Sequence, residues 1–341
     1  MLVLRPVRFT DLPAIEHLAV TAGNRLTTLP NNRDHLAELI NNTEKSLRQS
    51  KNTPTAQSYH FVLEDSDSLE IHGISGIEAN VGSNGPFYSF RCDSLEHQSA
   101  ELQIENTIDT LTLCRDNEGA SRLCTFFLAS DELPDYALKL LSLSRLMFIG
   151  QQPLRFNEKL ILELQGVINE HHQSPFWQAL GQHFFNMDFH RANYLTGINA
   201  KGFIADLMPR HPVYVPLLEK SAQQSMGLVR PDMQKVASLL ESQGFSQCGY
   251  ISIFDGGPTL EADTAQVATI QQQYSQTLVI DDRGQTSTHS EFLVSNNALQ
   301  DYRCIHAQLN ASDVYLNESQ ATQLNLTAGD TMYLLALTPR T

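Results

Sequence analysis

Leu123-Cys124-Thr125-Phe126-Phe127-Leu128 reads as a buried strand, and the pattern then turns helical over Asp135–Phe148, with Leu138, Leu141, Met147 and Phe148 as burial candidates. A strand returns at Leu160–Leu164. Upstream, Leu2–Arg5 reads as a first strand, and Asp11 caps a helix that starts at Leu12 with Pro13 in its first turn. Arg33–Gln49 carries Leu36, Leu39, Ile40, Thr43 and Leu47 at helical spacing, so it is an amphipathic helix lying on a core. Tyr59–Glu64 and Ile71–Glu78 form a hairpin across the turn at Asp65–Ser68, and further strands are expected at Phe87–Arg91, Glu101–Glu105 and Asp109–Cys114. Strand, two helices, an antiparallel meander, a central strand, a helix and a strand make a mixed sheet with helices on both faces, α/β or α+β.

Downstream, residues 174–245 read as mostly helical. Ser174-Pro175 is a start signal before Phe176–Phe185, Phe203–Leu207 is short, and Pro231–Gln243 stops at Gly244. A strand at Gly249–Phe254 then rejoins the sheet, and Asp255-Gly256-Gly257-Pro258 breaks it with two φ-permissive residues and one φ-locked residue. From about Gln276 the pattern is of short strands, Thr277–Ile280, Ser290–Ser295, Asp301–Gln308 and Thr331–Leu337, a small β unit of barrel type. The expected division is therefore 1–265, with a helical insertion at 174–245, followed by 266–341.

The 341 residues are 41% hydrophobic and 18% charged, which fits a globular chain. The net charge of −15 argues against nucleic acid and anionic membranes as partners, because phosphate attraction needs a positive field; a cationic small molecule suits this field better. Cysteines at 92, 114, 124, 248 and 304 have neither disulfide-framework nor zinc spacing, and with no export signal or membrane span read at the N-terminus or elsewhere the expected location is cytoplasmic, with reduced thiols. No metal-ligand spacing is visible.

In chain order, Leu4-Arg5-Pro6 with Asp11-Leu12, Leu26-Thr27-Thr28-Leu29-Pro30, Phe61-Val62-Leu63-Glu64-Asp65, Pro86-Phe87-Tyr88-Ser89-Phe90-Arg91, Ser174-Pro175-Phe176-Trp177, Leu207-Met208-Pro209-Arg210-His211-Pro212-Val213-Tyr214 and Ile253-Phe254-Asp255-Gly256-Gly257-Pro258-Thr259-Leu260-Glu261 span nearly the whole sequence. On these segments the chain resembles the arginine N-succinyltransferase family of the acyl-CoA N-acyltransferase (GNAT-like) superfamily. The Phe-Tyr-Ser-Phe-Arg and Tyr-Val-Pro-Leu-Leu segments look most like the α subunit of the two-subunit arginine/ornithine enzyme.

The resemblance implies transfer of a succinyl group from succinyl-CoA, a co-substrate rather than a resident cofactor, to the α-amine of L-arginine or ornithine, the first step of an ammonia-producing catabolic route. It also implies a homo- or hetero-oligomer with a paralogous subunit. The amine attacks the thioester, an oxyanion forms and the CoA thiolate leaves, so the site must align two substrates, take a proton and stabilise the oxyanion. In the superfamily, backbone N–H groups at the end of the central strand serve the oxyanion, and the following helix offers its N-terminus to the pyrophosphate. That places acyl-CoA against Phe126, Phe127 and Leu128, with Tyr136 and Ala137 at the helix start.

Two departures from the family pattern stand out. The loop after the central strand reads Asp131-Glu132-Leu133-Pro134-Asp135-Tyr136-Ala137, acidic and without glycine, where relatives carry a basic, glycine-containing loop; its charges near a diphosphate cost on the order of 1 kcal/mol each. In the family's Gly-x-Val-His-Pro segment the histidine is the assigned acid/base residue, whereas this chain has Gly227-Leu228-Val229-Arg230-Pro231. Arginine does not exchange protons near neutral pH, although Arg230 can bind a carboxylate or phosphate. His211 is the alternative by motif, ahead of His171, His172 and His183. For the guanidinium of the acceptor, Asp255 and Glu78 are the candidate carboxylates, with Glu261 a third. The acidic loop and Arg230 together leave open a second reading, a non-catalytic or regulatory subunit that has lost CoA binding.

Overall fold

The computed structural model describes every residue except 24, 25, 27, 51, 131, 172, 199–201, 282–289, 311–313 and 338–341. Two helices, α1 (Leu12–Ala22) and α2 (Arg33–Arg48), follow the first strand, β1 (Leu2–Pro6). Arg5 on β1 makes a bidentate pair with Asp11, Nη1 to Oδ2 at 2.8 Å and Nη2 to Oδ1 at 2.9 Å, and also contacts Glu64. This buried clamp ties the start of α1 to the sheet and explains the Leu-Arg-Pro…Asp-Leu pattern. Asn32 caps α2 through its side chain, which accepts from the His35 N–H.

The meander consists of β2 (Ser58–Asp65), β3 (Ile71–Glu78), β4 (Ser89–Ser99), β5 (Ile104–Cys114) and β6 (Ser121–Leu128). Residues 101–105, expected as a strand, lie largely in the turn at the tip of the long β4–β5 hairpin, where both faces are exposed and alternation carries little information. Helix α3 (Tyr136–Gln151) and strand β7 (Lys159–Glu163) follow β6. The insertion contains five short helices among its described residues, α4 (Pro175–Ala179), α5 (Gly181–Phe185), α6 (Phe189–Gly197), α7 (Gly202–Leu207) and α8 (Lys220–Ser225), with β8 (Val213–Tyr214) between the last two, and α9 (Gln234–Glu241) closes it. Strands β9 (Ser246–Ser252) and β10 (Pro258–Asp263) flank the Asp-Gly-Gly turn, and α10 (Ala268–Gln272), β11 (Tyr274–Thr277), β12 (Ser290–Ser295), β13 (Cys304–Leu309), α11 (Glu318–Gln323) and β14 (Thr331–Ala336) complete the chain.

Among the described residues the strands form one mixed sheet in the order β11-β14-β12-β13-β1-β2-β3-β6-β7-β10-β9-β4-β5-β8. The α/β class read from the sequence is therefore the observed one. The C-terminal strands extend this sheet through β13 and β1, with Val3 paired to Ile305, and they enclose their own apolar cluster around Phe292, Leu309 and Leu334. A larger cluster lies between α3 and the sheet, where Phe148 meets Tyr59, Phe61 and Tyr302 in tilted or edge-on contacts. On the opposite side, α1 and α2 pack on Val62 and Ile74.

The Asp-Gly-Gly-Pro turn fastens the end of β7. The Asp255 carboxylate accepts the Gly166 N–H at 2.9 Å through Oδ2 and the Gly257 N–H at 3.0 Å through Oδ1. A Cβ on Gly257 would lie 2.1 Å from the Leu164 carbonyl oxygen, and one on Gly166 2.3 Å from that of Asp255, so the two chains approach as only glycine allows.

Candidate functional site

Strands β6 and β7 run parallel and pair only at their beginnings, Ser121 with Leu160, Arg122 with Ile161 and Leu123 with Leu162. Beyond that point no further β6–β7 pair occurs among the described residues, and the strands part around two cavities. The other side of β6 is irregular at the same level. Its register with β3 shifts between Ile74 and Gly76, and Thr125 adopts φ 51°, a costly conformation for a β-branched residue. Thr28 supports it by accepting the Thr125 N–H on Oγ1 at 3.2 Å.

Arg145, from α3, occupies this irregularity. It is fully buried, its Nη1 donates to the carbonyls of Gly76 and Cys124 at 3.2 Å each, and its guanidinium lies 5.3 Å from the centre of the Phe126 ring. Burial lowers its pKa to about 10, which still leaves it charged at neutral pH.

The first cavity, about 500 Å³, lies between α2, the β3–β6 face and α6. Glu38, Glu78, Glu163 and Asp255 line it, against the guanidiniums of Arg122 and Arg145. Arg122 bridges two of the carboxylates, with Nη2 to Glu78 at 3.0 Å and Nη1 to Glu163 at 3.4 Å, and it packs over the Phe87 ring at 4.8 Å. Burial opposes the charge on Arg122, but the two carboxylates outweigh it and raise its pKa. An excess of carboxylates in a concave, half-enclosed site suits a cationic ligand with one anionic end.

The second cavity, about 510 Å³, is lined by Phe126, Phe127 and Leu128 on β6 and by Ala137 in the first turn of α3. Lys139, Arg230 and Lys235 supply three cations, against Asp135 and Asp232. Both cavities are lined by Leu26, Phe126, Gln165, Met233 and Val236, so they meet where β6 and β7 separate.

Of the residues singled out in the sequence, the structure brings Phe126, Phe127, Leu128, Ala137 and Arg230 to the second cavity and Glu78 to the first. Arg230 is held by its Nε contact to Asp232 at 2.5 Å and by its backbone N–H, which donates to the Gln165 carbonyl at 2.9 Å. The remaining ones have other surroundings. Tyr136 turns away from both cavities and stacks on His306 with ring centroids 4.1 Å apart. Asp255 reaches the first cavity, and both of its oxygens also accept backbone N–H groups of the turn. His211, His171 and His183 are exposed and line neither cavity, and Glu261 pairs with Lys159 at 2.7 Å, away from both. Thr27, Asp131 and His172 lie outside the described residues.

Sequence reading missed Arg122, Arg145, Glu163, Gln165 and His60. A signal existed for the two arginines: each interrupts a run that otherwise reads as core, and a charge in such a place is almost always partnered. The acidic loop is also compensated, since Lys139 on α3 and Arg230 and Lys235 around the start of α9 bring positive charge to the same cavity.

The family model described as arginine N-succinyltransferase beta subunit matches residues 2–269. An arginine N-succinyltransferase of Yersinia enterocolitica is 39% identical over 99% of this chain and 98% of its own length, and one of Salmonella schwarzengrund is 42% identical over the same shares. Among solved structures, subunit AI of the arginine/ornithine succinyltransferase of Pseudomonas aeruginosa superposes with a TM-score of 0.91 at 36% identity, covering 99% of both chains. Full-length agreement of sequence and of fold places this chain in the arginine N-succinyltransferase family.

Proposed function

We propose that this protein transfers the succinyl group of succinyl-CoA to the α-amine of L-arginine. One observation carries the reading: a cavity lined by three cations and a cavity rich in carboxylates meet at Phe126, where two parallel strands part. In this reading the pantetheine arm enters beside Phe127 and Leu128, and Lys139, Lys235 and Arg230 face the phosphates. The first turn of α3 adds the positive end of its dipole. The thioester carbonyl lies against the edge of β6, whose backbone N–H groups stabilise the oxyanion. Glu78 and Glu163 receive the guanidinium of arginine. A subunit that has lost CoA binding is not favoured, because the second cavity is open and its cations answer the acidic loop.

The unpaired thiols of all five cysteines suit a cytoplasmic location, and no helix among the described residues is long and apolar enough to cross a membrane. The solved relative is named as a subunit, which supports an oligomeric form of this chain, homo- or hetero-. Purified protein given succinyl-CoA and L-arginine is expected to release free thiol and form N-succinylarginine. No release, with or without a paralogous partner, would end the reading.

Glu78→Gln is expected to raise the KM for L-arginine about 10- to 100-fold, the value of one charge-assisted hydrogen bond, with the KM for succinyl-CoA within about twofold of wild type. Initial rates with each substrate varied in turn check this. Equal changes in both KM values would remove Glu78 from the acceptor site.

A further inference from the structure

Arg230 cannot accept a proton, and we propose that the Nε2 lone pair of His60 takes the proton released by the acceptor's α-nitrogen. The inference rests on the succinyl-transfer reading above and adds a catalytic residue to it.

Thr43 favours one tautomer. Its hydroxyl donates to the Leu39 carbonyl at 3.1 Å, and its oxygen accepts the His60 backbone N–H at 3.1 Å. His60 Nδ1 lies 3.2 Å from the same oxygen. With the hydroxyl proton spent on Leu39, this contact is satisfied when Nδ1–H donates; Thr125 Oγ1, on the other side of the ring, also donates to a carbonyl, that of Thr28, but its contacts to Thr28 and to Nε2 are both longer, 3.4 Å, so the shorter Thr43 contacts favour Nδ1–H and leave the lone pair on Nε2. The ring is neutral at physiological pH, since burial pushes its pKa down to about 4.

His60 is also placed where a proton acceptor is needed. Its side chain lines the first cavity, and Nε2 is 3.4 Å from Oγ1 of Thr125, the neighbour of Phe126, where the two cavities meet. Gly76 faces the ring from β3, and a Cβ there would stand 2.7 Å from Nε2, so a side chain at 76 would displace the imidazole. Glu78 favours a proton on the ring, whereas His35, Arg122 and Arg145 oppose it. Competing acceptors are poorly suited: Glu78 and Glu163 are engaged by Arg122, and burial pushes the Cys124 thiol up to about 11.

In the step, the neutral amine forms a C–N bond to the thioester carbon while the carbonyl π pair moves to oxygen. Nε2 takes one N–H proton and becomes imidazolium. The oxygen pair then re-forms the carbonyl, the C–S bond breaks with its electrons on sulfur, and the imidazolium, made acidic by its burial, passes its proton to the thiolate. The products are N-succinylarginine and the CoA thiol, with His60 neutral again.

His60→Gln is expected to lower kcat about 100- to 1000-fold with the KM for L-arginine within about threefold of wild type, and added imidazole is expected to restore part of the rate. A variant that folds and keeps more than about a third of wild-type kcat would overturn the proposal while leaving succinyl transfer intact. An inactive wild type would sink both. Should the variant fail to fold, ¹⁵N-histidine NMR of the wild-type chain decides: an unprotonated Nε2 at neutral pH whose signal moves when L-arginine binds supports the role, and a protonated Nε2 contradicts it.

Discussion

Arg122→Leu is expected to destabilise the protein by about 3 kcal/mol at pH 7, because it removes the buried cation that two carboxylates share. Arg122 lies on β6 with its side chain only 10% exposed, and its guanidinium sits between Glu78 and Glu163. Both glutamates retain some access to water, which holds the loss toward the lower end for a broken buried pair. Urea unfolding at pH 7 measures the effect, and a loss below about 1 kcal/mol would mean that the triad contributes little. Adding Glu78→Gln and Glu163→Gln to the leucine variant should recover part of the stability, since the two like charges are then removed together with the cation between them.

The second large effect is an acid-dependent loss of stability that traces to His60. In the unfolded chain this imidazole titrates near its ordinary value of 6.5, whereas in the folded protein burial holds the pKa down at about 4. Between those two values the unfolded state binds the extra proton, so stability falls as pH drops below about 6.5, and the loss is complete near pH 4. The separation corresponds to about 3 kcal/mol. His306, also lowered chiefly by burial, contributes in the same direction. Carboxylates held low in the folded state, such as Asp65 and Asp93, act below this window, because their contribution is lost only as pH falls through their depressed values. Comparing wild type with His60→Gln isolates the histidine: the variant should show a flatter pH dependence between 6.5 and 4, and parallel curves would contradict the burial argument.

Elements with a clean pattern were legible in the sequence. Ile71–Glu78 and Ser290–Ser295 have the bounds the alternation predicts, and Arg33–Arg48 closes one residue short of its predicted helix. β10 was not legible, because Pro258 opens it and a proline reads as the end of a strand; here it occupies the first strand position, where the ladder tolerates it. The helix predicted over 176–185 is broken into two pieces at Leu180, where φ −129° and ψ −73° leave the helical region.

For the site, the sequence placed Phe126, Leu128 and Ala137 through the strand and helix that carry them, and it flagged Arg230 as a change in chemistry. It did not place His60. That residue sits in a strand buried on both faces, so no alternation sets it apart from Phe61 or Val62, and its meaning comes from Thr43 on α2 and Thr125 on β6. The carboxylate pair was half legible for the same reason: Glu78 ends a predicted strand, but Glu163 joins it only through the parallel pairing of β6 with β7. Asp255 was legible as a carboxylate of the motif, whereas the two backbone N–H groups its oxygens accept, one of them on Gly166 across the sheet, became visible only in the structure.

The most direct measurement is the structure of the protein bound to CoA and L-arginine together. The pantetheine sulfur is expected beside Phe126, between the diverging strands β6 and β7, with the arginine side chain reaching Glu78 and Glu163 from the other cavity. CoA bound outside the cleft next to Leu128, or arginine bound without contact to either glutamate, would contradict this placement.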